Sequence, residues 1–118
     1  MKILIVEDET RISNLLKIYL QRESFQVDVE QNGEVGLNKA LSDNYDLILL
    51  DVFMPGKNGF QVLEELRKFK ETPIIMLTAQ SGEEDQKRVL ALGANGLISK
   101  PFSPGEVVLK VKEFLSLG

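Results

Sequence analysis

The chain is predicted to be one α/β domain, a (βα) unit run five times into a doubly wound parallel sheet of order 2-1-3-4-5, sandwiched between helices in three layers. Two observations carry the prediction. Five short apolar runs recur along the 118 residues, four of them nearly continuous in Ile, Leu, Val or Met, as strands buried on both faces are. The segments between them repeat their apolar residues with helical rather than strand periodicity. Strands alternating with helices give a parallel sheet covered on both sides.

The elements follow in order. The first strand is Lys2–Val6 (KILIV), and the first helix carries Ile12, Leu15, Leu16, Tyr19 and Leu20 after a start signal at Asp8 to Thr10. Phe25–Glu30 (FQVDVE) alternates apolar and polar residues and belongs at an edge. The second helix carries Val35, Leu37, Ala40 and Leu41. Asp46–Leu50 (DLILL) is the third strand, and the helix after Asn58-Gly59 carries Phe60, Val62, Leu63, Leu66 and Phe69. Pro73–Leu77 (PIIML) precedes a fourth helix from about Glu83 to Leu92, opened by Ser81 with Glu83 and Glu84 and closed by Gly93. Gly96–Lys100 (GLISK) leads through Ser103-Pro104 into a last helix with Val107, Val108, Val111, Phe114 and Leu115. The charged runs Glu64-Glu65 with Arg67-Lys68 and Glu83 to Asp85 with Lys87-Arg88 read as solvated helix faces. Residues 1–118 form a single domain in this reading, with no linker.

Composition removes whole classes of chemistry. The chain has no cysteine and no histidine, which excludes disulfides, thiolate metal sites, imidazole bases and Ser-His-Asp triads. A net charge of −4 argues against direct nucleic-acid binding. No apolar run approaches the ~20 residues of a membrane span, and the N-terminus turns acidic too soon for a signal peptide. A cytoplasmic location is expected.

The polar residues that follow the strands are the informative ones. Glu7 and Asp8 follow the first strand, Asp51 the third and Thr78 the fourth, while Lys100 closes the fifth. Singly, each has an ordinary role: Asp8 a helix cap, Asp51 an Asx turn before Pro55-Gly56, Thr78 a turn cap, Lys100 a solvated charge. Open parallel sheets, however, bind ligands beyond the carboxyl ends of their strands at the switch point, and here all of them fall at that edge. Carboxylates so close either hold a proton or admit a cation. With oxygen ligands alone, Mg²⁺ suits the set. A metal, a lysine and a threonine hydroxyl together can hold phosphoryl oxygens, and Asp51 can accept the phosphoryl group as an acyl phosphate.

The segments VEDE (6–9), LLDVFMPGKNG (49–59), MLTA (76–79), GA (93–94) and KPF (100–102) resemble the receiver domain of response regulators in two-component signalling, a CheY-like domain with the flavodoxin-like sandwich, along essentially the whole chain. The resemblance implies that Asp51 takes a phosphoryl group from the phosphohistidine of a sensor histidine kinase or phosphotransfer protein. It implies Mg²⁺ held by Glu7 (through water), Asp8, Asp51 and the backbone carbonyl of Phe53. Thr78 is then the switch hydroxyl and Lys100 the phosphoryl-contacting lysine, with a cis Lys100-Pro101 bond. Ile12 and Leu15 beside Pro101 and Phe102 form the expected kinase-docking patch, while Leu16, Tyr19 and Leu20 face the sheet. The output is a switched face of the fourth helix, fifth strand and fifth helix, acting on a downstream effector domain or protein, with the domain a monomer or a phosphorylation-dependent dimer. The domain is a signalling module rather than an enzyme.

Four positions depart from the family pattern. Leu97 stands where an aromatic switch residue is usual, and Asn95, Gly96 and Lys110 replace the residues of a dimer salt-bridge set that Lys87 and Glu106 still match. Phe53 and Gln80 flank the path of the attacking water, and a bulky Phe53 is expected to slow self-dephosphorylation. A flavodoxin is disfavoured by the acidic first loop and the lack of tryptophan, and a P-loop enzyme by the absence of GxxxxGK[ST]. An aspartyl phosphatase needs a second Asp where Phe53 stands. The alternative is a degenerate receiver that binds proteins without phosphorylation.

Overall fold

The computed structural model describes residues 1–79 and 82–116. Its elements are β1 (Lys2–Val6), α1 (Thr10–Arg22), β2 (Gln26–Glu30), α2 (Gly33–Ser42), β3 (Leu47–Asp51), α3 (Gly59–Leu66), β4 (Ile74–Thr78), α4 (Glu83–Ala91), β5 (Gly96–Ser99) and α5 (Pro104–Phe114). The strands form one sheet of order β2-β1-β3-β4-β5, every pairing parallel. The expected fold class and strand order are those observed.

Alternate residues of the central strands feed opposite cores. Leu4, Val6, Ile48, Leu50, Ile74 and Met76 meet α2, α3 and α4 through Leu37, Val62, Leu63 and Val89. Ile3, Ile5, Leu47, Leu49, Ile75 and Leu77 meet α1 and α5 through Leu16, Leu20, Val107 and Val111. This two-sided burial explains why the central strands read as unbroken apolar runs. β2 is half-exposed, as an edge strand is.

Local signals place the helix ends. Asn58 caps α3 in a reciprocal box with Gln61, and Ser103 caps α5 ahead of Pro104. Gly93 follows α4 at φ +103°, the left-handed step that stops a helix.

Several expectations need correcting. α1 begins at Thr10 within the expected Asp8 to Thr10 start signal, but its cap position is Glu9, whose side chain makes no cap hydrogen bond. α3 ends at Leu66, and Phe69 lies in the following turn, 74% exposed, outside the core. Val35 is 47% exposed, and Phe114, 37% exposed, lies over Gly96 at the edge of the sheet. Arg67 is not a solvated charge: its guanidinium donates to Gly93 O at 2.8 Å, Lys70 O at 3.1 Å and Asn95 Oδ1 at 3.1 Å, tying α3 to the turn before β5. Arg88 lies 4.0 Å from the centre of the Phe60 ring. The Ser81 start signal and Gln80 lie outside the described residues; the cap of α4 is Gly82.

Candidate functional site

Parallel register delivers the polar residues to one edge. Val6 of β1 lies opposite Leu50 of β3, so the chain passes from these partners directly into Glu7-Asp8 and Asp51. Thr78 ends β4, and Lys100 follows β5 with its N–H donating to Thr78 O at 2.7 Å. Glu7, Asp51 and Thr78 are buried, and Asp8 is exposed at the mouth. Carboxylate oxygens of Glu7, Asp8 and Asp51 all lie within 4.8 Å of one another. Lys100 Nζ sits between two of them, 2.8 Å from Glu7 Oε1 and 3.2 Å from Asp51 Oδ1. The Lys100-Pro101 bond is cis.

The electrostatics leave this cluster one cation short. Three ionised carboxylates against one ammonium carry two uncompensated negative charges. Burial pushes the Glu7 carboxyl up, to about 7, and Asp51 adds to the rise, against the opposing pull of Lys100 and the Glu9 N–H. Burial also pulls on the Lys100 ammonium, but Glu7 and Asp51 outweigh it and hold its pKa above the ordinary value. The buried Glu7 Oε1 is met by the Lys100 ammonium at 2.8 Å. A buried carboxylate oxygen beside two further carboxylates suits a hard divalent ion that keeps several waters. These residues therefore fit a metal.

A pH dependence follows from Glu7. Its folded pKa of about 7 exceeds the ordinary 4.5, so between those values the folded state holds a proton that the unfolded chain has released. The associated stability is full below about 4.5 and is lost as pH rises through about 7. Urea unfolding of the metal-free protein is expected to give a falling midpoint across this window, and Mg²⁺ to restore it at pH 7.5. A midpoint that does not fall, or that Mg²⁺ leaves unchanged, would contradict the picture of a charge-starved site.

Phe53 stands 56% exposed on the loop after Asp51. Ile12 and Leu15 line an open, mostly apolar groove of about 400 Å³ with Pro101, Phe102 and Pro104, and Lys100 borders the same groove. Leu15 is 45% exposed, although it belongs to the apolar set of α1. Leu16 and Leu20 face the sheet, with Tyr19 half-buried against them. Asn95 and Gly96 work inside the fold. Asn95 Oδ1 accepts from Ile74 N–H and from Arg67, while Phe114 covers Gly96 so closely that a Cβ there would stand 2.7 Å from its ring. Sequence reasoning missed the roles of Arg67 and Asn95, because a guanidinium among charged helix residues carries no sign that it will reach a carbonyl on another element.

The fold and site together define a doubly wound α/β domain with clustered carboxylates at its switch point, a lysine across them and a threonine on the next strand. The particular family is shown by comparison: the response regulator receiver domain model matches residues 3–112, and this chain belongs to that family. Over 114 residues it is 50% identical to the transcriptional regulatory protein ResD of Bacillus subtilis, covering 97% of this chain and 48% of ResD. It is equally identical to the transcriptional regulatory protein SrrA of Staphylococcus aureus, covering 97% of this chain and 47% of SrrA. The solved receiver domain of the Francisella response regulator 1452 superposes with a TM-score of 0.93 at 29% identity, covering 98% of this chain and 96% of that one. The chain spans about half the length of the curated relatives it matches. Receiver domains are signalling modules of two-component systems rather than classical enzymes. No helix among the described residues is long and apolar enough to cross a membrane.

Proposed function

We propose that residues 1–118 form a receiver domain whose Asp51 accepts a phosphoryl group from the phosphohistidine of a sensor histidine kinase or phosphotransfer protein. The observation that carries the reading is the placement of Asp51: at the end of β3, within 4.8 Å of Glu7 and Asp8 and 3.2 Å from Lys100 Nζ. An Asp51 oxygen forms a bond to phosphorus as the phosphorus–nitrogen bond breaks, and the imidazole nitrogen keeps the electron pair. Lys100 turns from the carboxylates to the incoming phosphoryl oxygens, and the Thr78 hydroxyl donates to another. Asp8, Asp51 and the Phe53 carbonyl would hold Mg²⁺, with Glu7 acting through water, and the ion would neutralise the oxygens gathered there.

Output passes through α4, β5 and α5. Val89 is the residue α4 buries fully, and Leu90 beside it is 54% exposed, so α4 is lightly held and free to shift. Leu97 packs partly buried against the core under α2, α3 and α4. Without an aromatic rotamer at this position, the signal travels through the backbone of β4 and α4. The likeness to transcriptional regulatory proteins supports a readout through an effector domain that controls transcription, with the protein in the cytoplasm. Asn95 and Gly96 are occupied within the fold and supply no charge for dimer salt bridges, which favours a monomer over a dimer built on them.

Three experiments test this reading. Beryllium fluoride, a phosphoryl mimic, is expected to give one bound ¹⁹F NMR species that requires Mg²⁺ and is lost in Asp51→Asn; a bound species independent of both would overturn the assignment. Phe53→Asn is expected to shorten the phosphoryl lifetime several-fold by opening the path of water to Asp51. A lifetime as long as that of the native protein would sink the shielding role of Phe53. Ile12→Ala and Phe102→Ala are expected to slow transfer from a kinase while leaving phosphorylation by acetyl phosphate intact. Equal slowing with both donors would point to a folding defect instead.

A further inference from the structure

The first turn of α2 packs on the loop after Asp51 and on the side chain of Val6, the residue before Glu7. Gly33 donates its N–H to Pro55 O at 3.0 Å. It lies so close that a Cβ there would stand 1.7 Å from Lys57 O, a backbone atom that cannot rotate away. Gly56, at φ +80°, faces the Asn32 side chain, where a Cβ would meet Oδ1 at 2.6 Å. That oxygen is itself fixed, since it accepts the N–H of Glu34 at 2.8 Å and of Val35 at 3.2 Å as the cap of α2. Lys57 closes the junction through Glu65 of α3 at 3.1 Å and Glu34 of α2 at 3.9 Å. On the opposite side, a Cβ at Gly36 would stand 2.7 Å from Val6 Cγ1 and 3.0 Å from Cγ2. Val6 is 1% exposed and immediately precedes Glu7.

We propose that Gly33 and Gly36 are positioning residues: the α2 turn, seated on the loop after Asp51 and on the residue before Glu7, sets the separation of the two halves of the metal site. The inference rests on the reading of that cluster as a Mg²⁺ site. Magnitudes support it. Ordinary Cβ contact begins near 3.4 Å, so alanine at Gly36 demands about 0.7 Å of displacement and alanine at Gly33 about 1.7 Å. Binding sites work within about 0.5 Å of their productive geometry, and Mg²⁺ tolerates little departure from its octahedron.

Calorimetric Mg²⁺ titration, with circular dichroism and urea unfolding of each metal-free variant, tests the proposal. Gly36→Ala is expected to stay folded and to raise the Mg²⁺ Kd about tenfold, the usual scale for losing a group that holds metal ligands in place. Gly33→Ala is expected to raise it further. Val6→Ala removes both γ-methyl groups and leaves only the Val6 Cβ at 3.4 Å. The Gly36→Ala/Val6→Ala double variant is therefore expected to recover Mg²⁺ affinity to within about twofold of the native protein, though it is less stable. Gly105→Ala, with nothing within 4 Å, is expected to leave Mg²⁺ affinity unchanged. A folded Gly36→Ala with native Mg²⁺ affinity overturns the inference, as does a double variant that binds no better than the single one. Failure of Gly36→Ala to fold overturns it too, since a positioning role requires an intact fold. A native protein that binds no Mg²⁺ fails earlier, at the metal reading itself.

Discussion

Asp51→Asn is expected to raise the stability of the metal-free protein while lowering its Mg²⁺ affinity at least about tenfold. The opposite signs come from one cause. Asp51 sits in a cluster of three carboxylates within 4.8 Å and helps to raise the Glu7 carboxyl to about 7. Neutralising it removes a repulsion that the unfolded chain never feels. The ion pair it gives up, at 3.2 Å to Lys100, is offset because Lys100 keeps Glu7 at 2.8 Å. The gain is expected at pH 7.5, where Glu7 is ionised beside Asp51. The same carboxylate is an anionic ligand, so its loss weakens metal binding. Urea unfolding without Mg²⁺ and calorimetric titration with it check both halves. A destabilised variant with native Mg²⁺ affinity would show Asp51 to be a structural residue.

Leu63→Ala is expected to cost about 3 kcal/mol, the scale of a leucine deleted from a rigid core. Leu63 is fully buried in the core under α2, α3 and α4, beside strand residues that are packed on their other sides. Those strands carry a second core on their far face, so the sheet cannot sag into the cavity without disturbing both. Against a total stability of roughly 5–15 kcal/mol, the melting temperature is expected to fall by about 10 °C or more, with an unchanged urea m-value. Mg²⁺ affinity of the still-folded protein is expected to stay within about twofold, because Leu63 belongs to the apolar core rather than to the carboxylate cluster. A loss below 1 kcal/mol would mean that this core layer relaxes freely.

The sequence made the central strands plain. Residues 47–50 and 74–77 are apolar at every position because both sheet faces are covered. Strand edges were legible to within a residue, and Asp51 proves to be the last strand residue rather than the first loop residue. The juxtaposition of Glu7, Asp8 and Asp51 was legible because parallel register converts positions after neighbouring strands into neighbours in space. The partners of Arg67 were not, since a long side chain at a helix end has no periodicity to betray its reach. Phe69 misled for a related reason: it keeps the spacing of the α3 stripe, but the helix has already ended at Leu66. The tight seats of Gly33 and Gly36 were hidden as well. A sequence marks a glycine as a turn or a breaker and does not reveal which backbone will approach it.

The most direct measurement is the intact mass of the native protein after incubation with Mg²⁺ and acetyl phosphate, beside Asp51→Asn and a metal-free sample. One added phosphoryl group in the native protein alone is the expected result, and it identifies Asp51 as the acceptor. Equal uptake by Asp51→Asn, or no uptake by a native protein that also fails to bind beryllium fluoride, would contradict it and leave a receiver fold that works without phosphorylation.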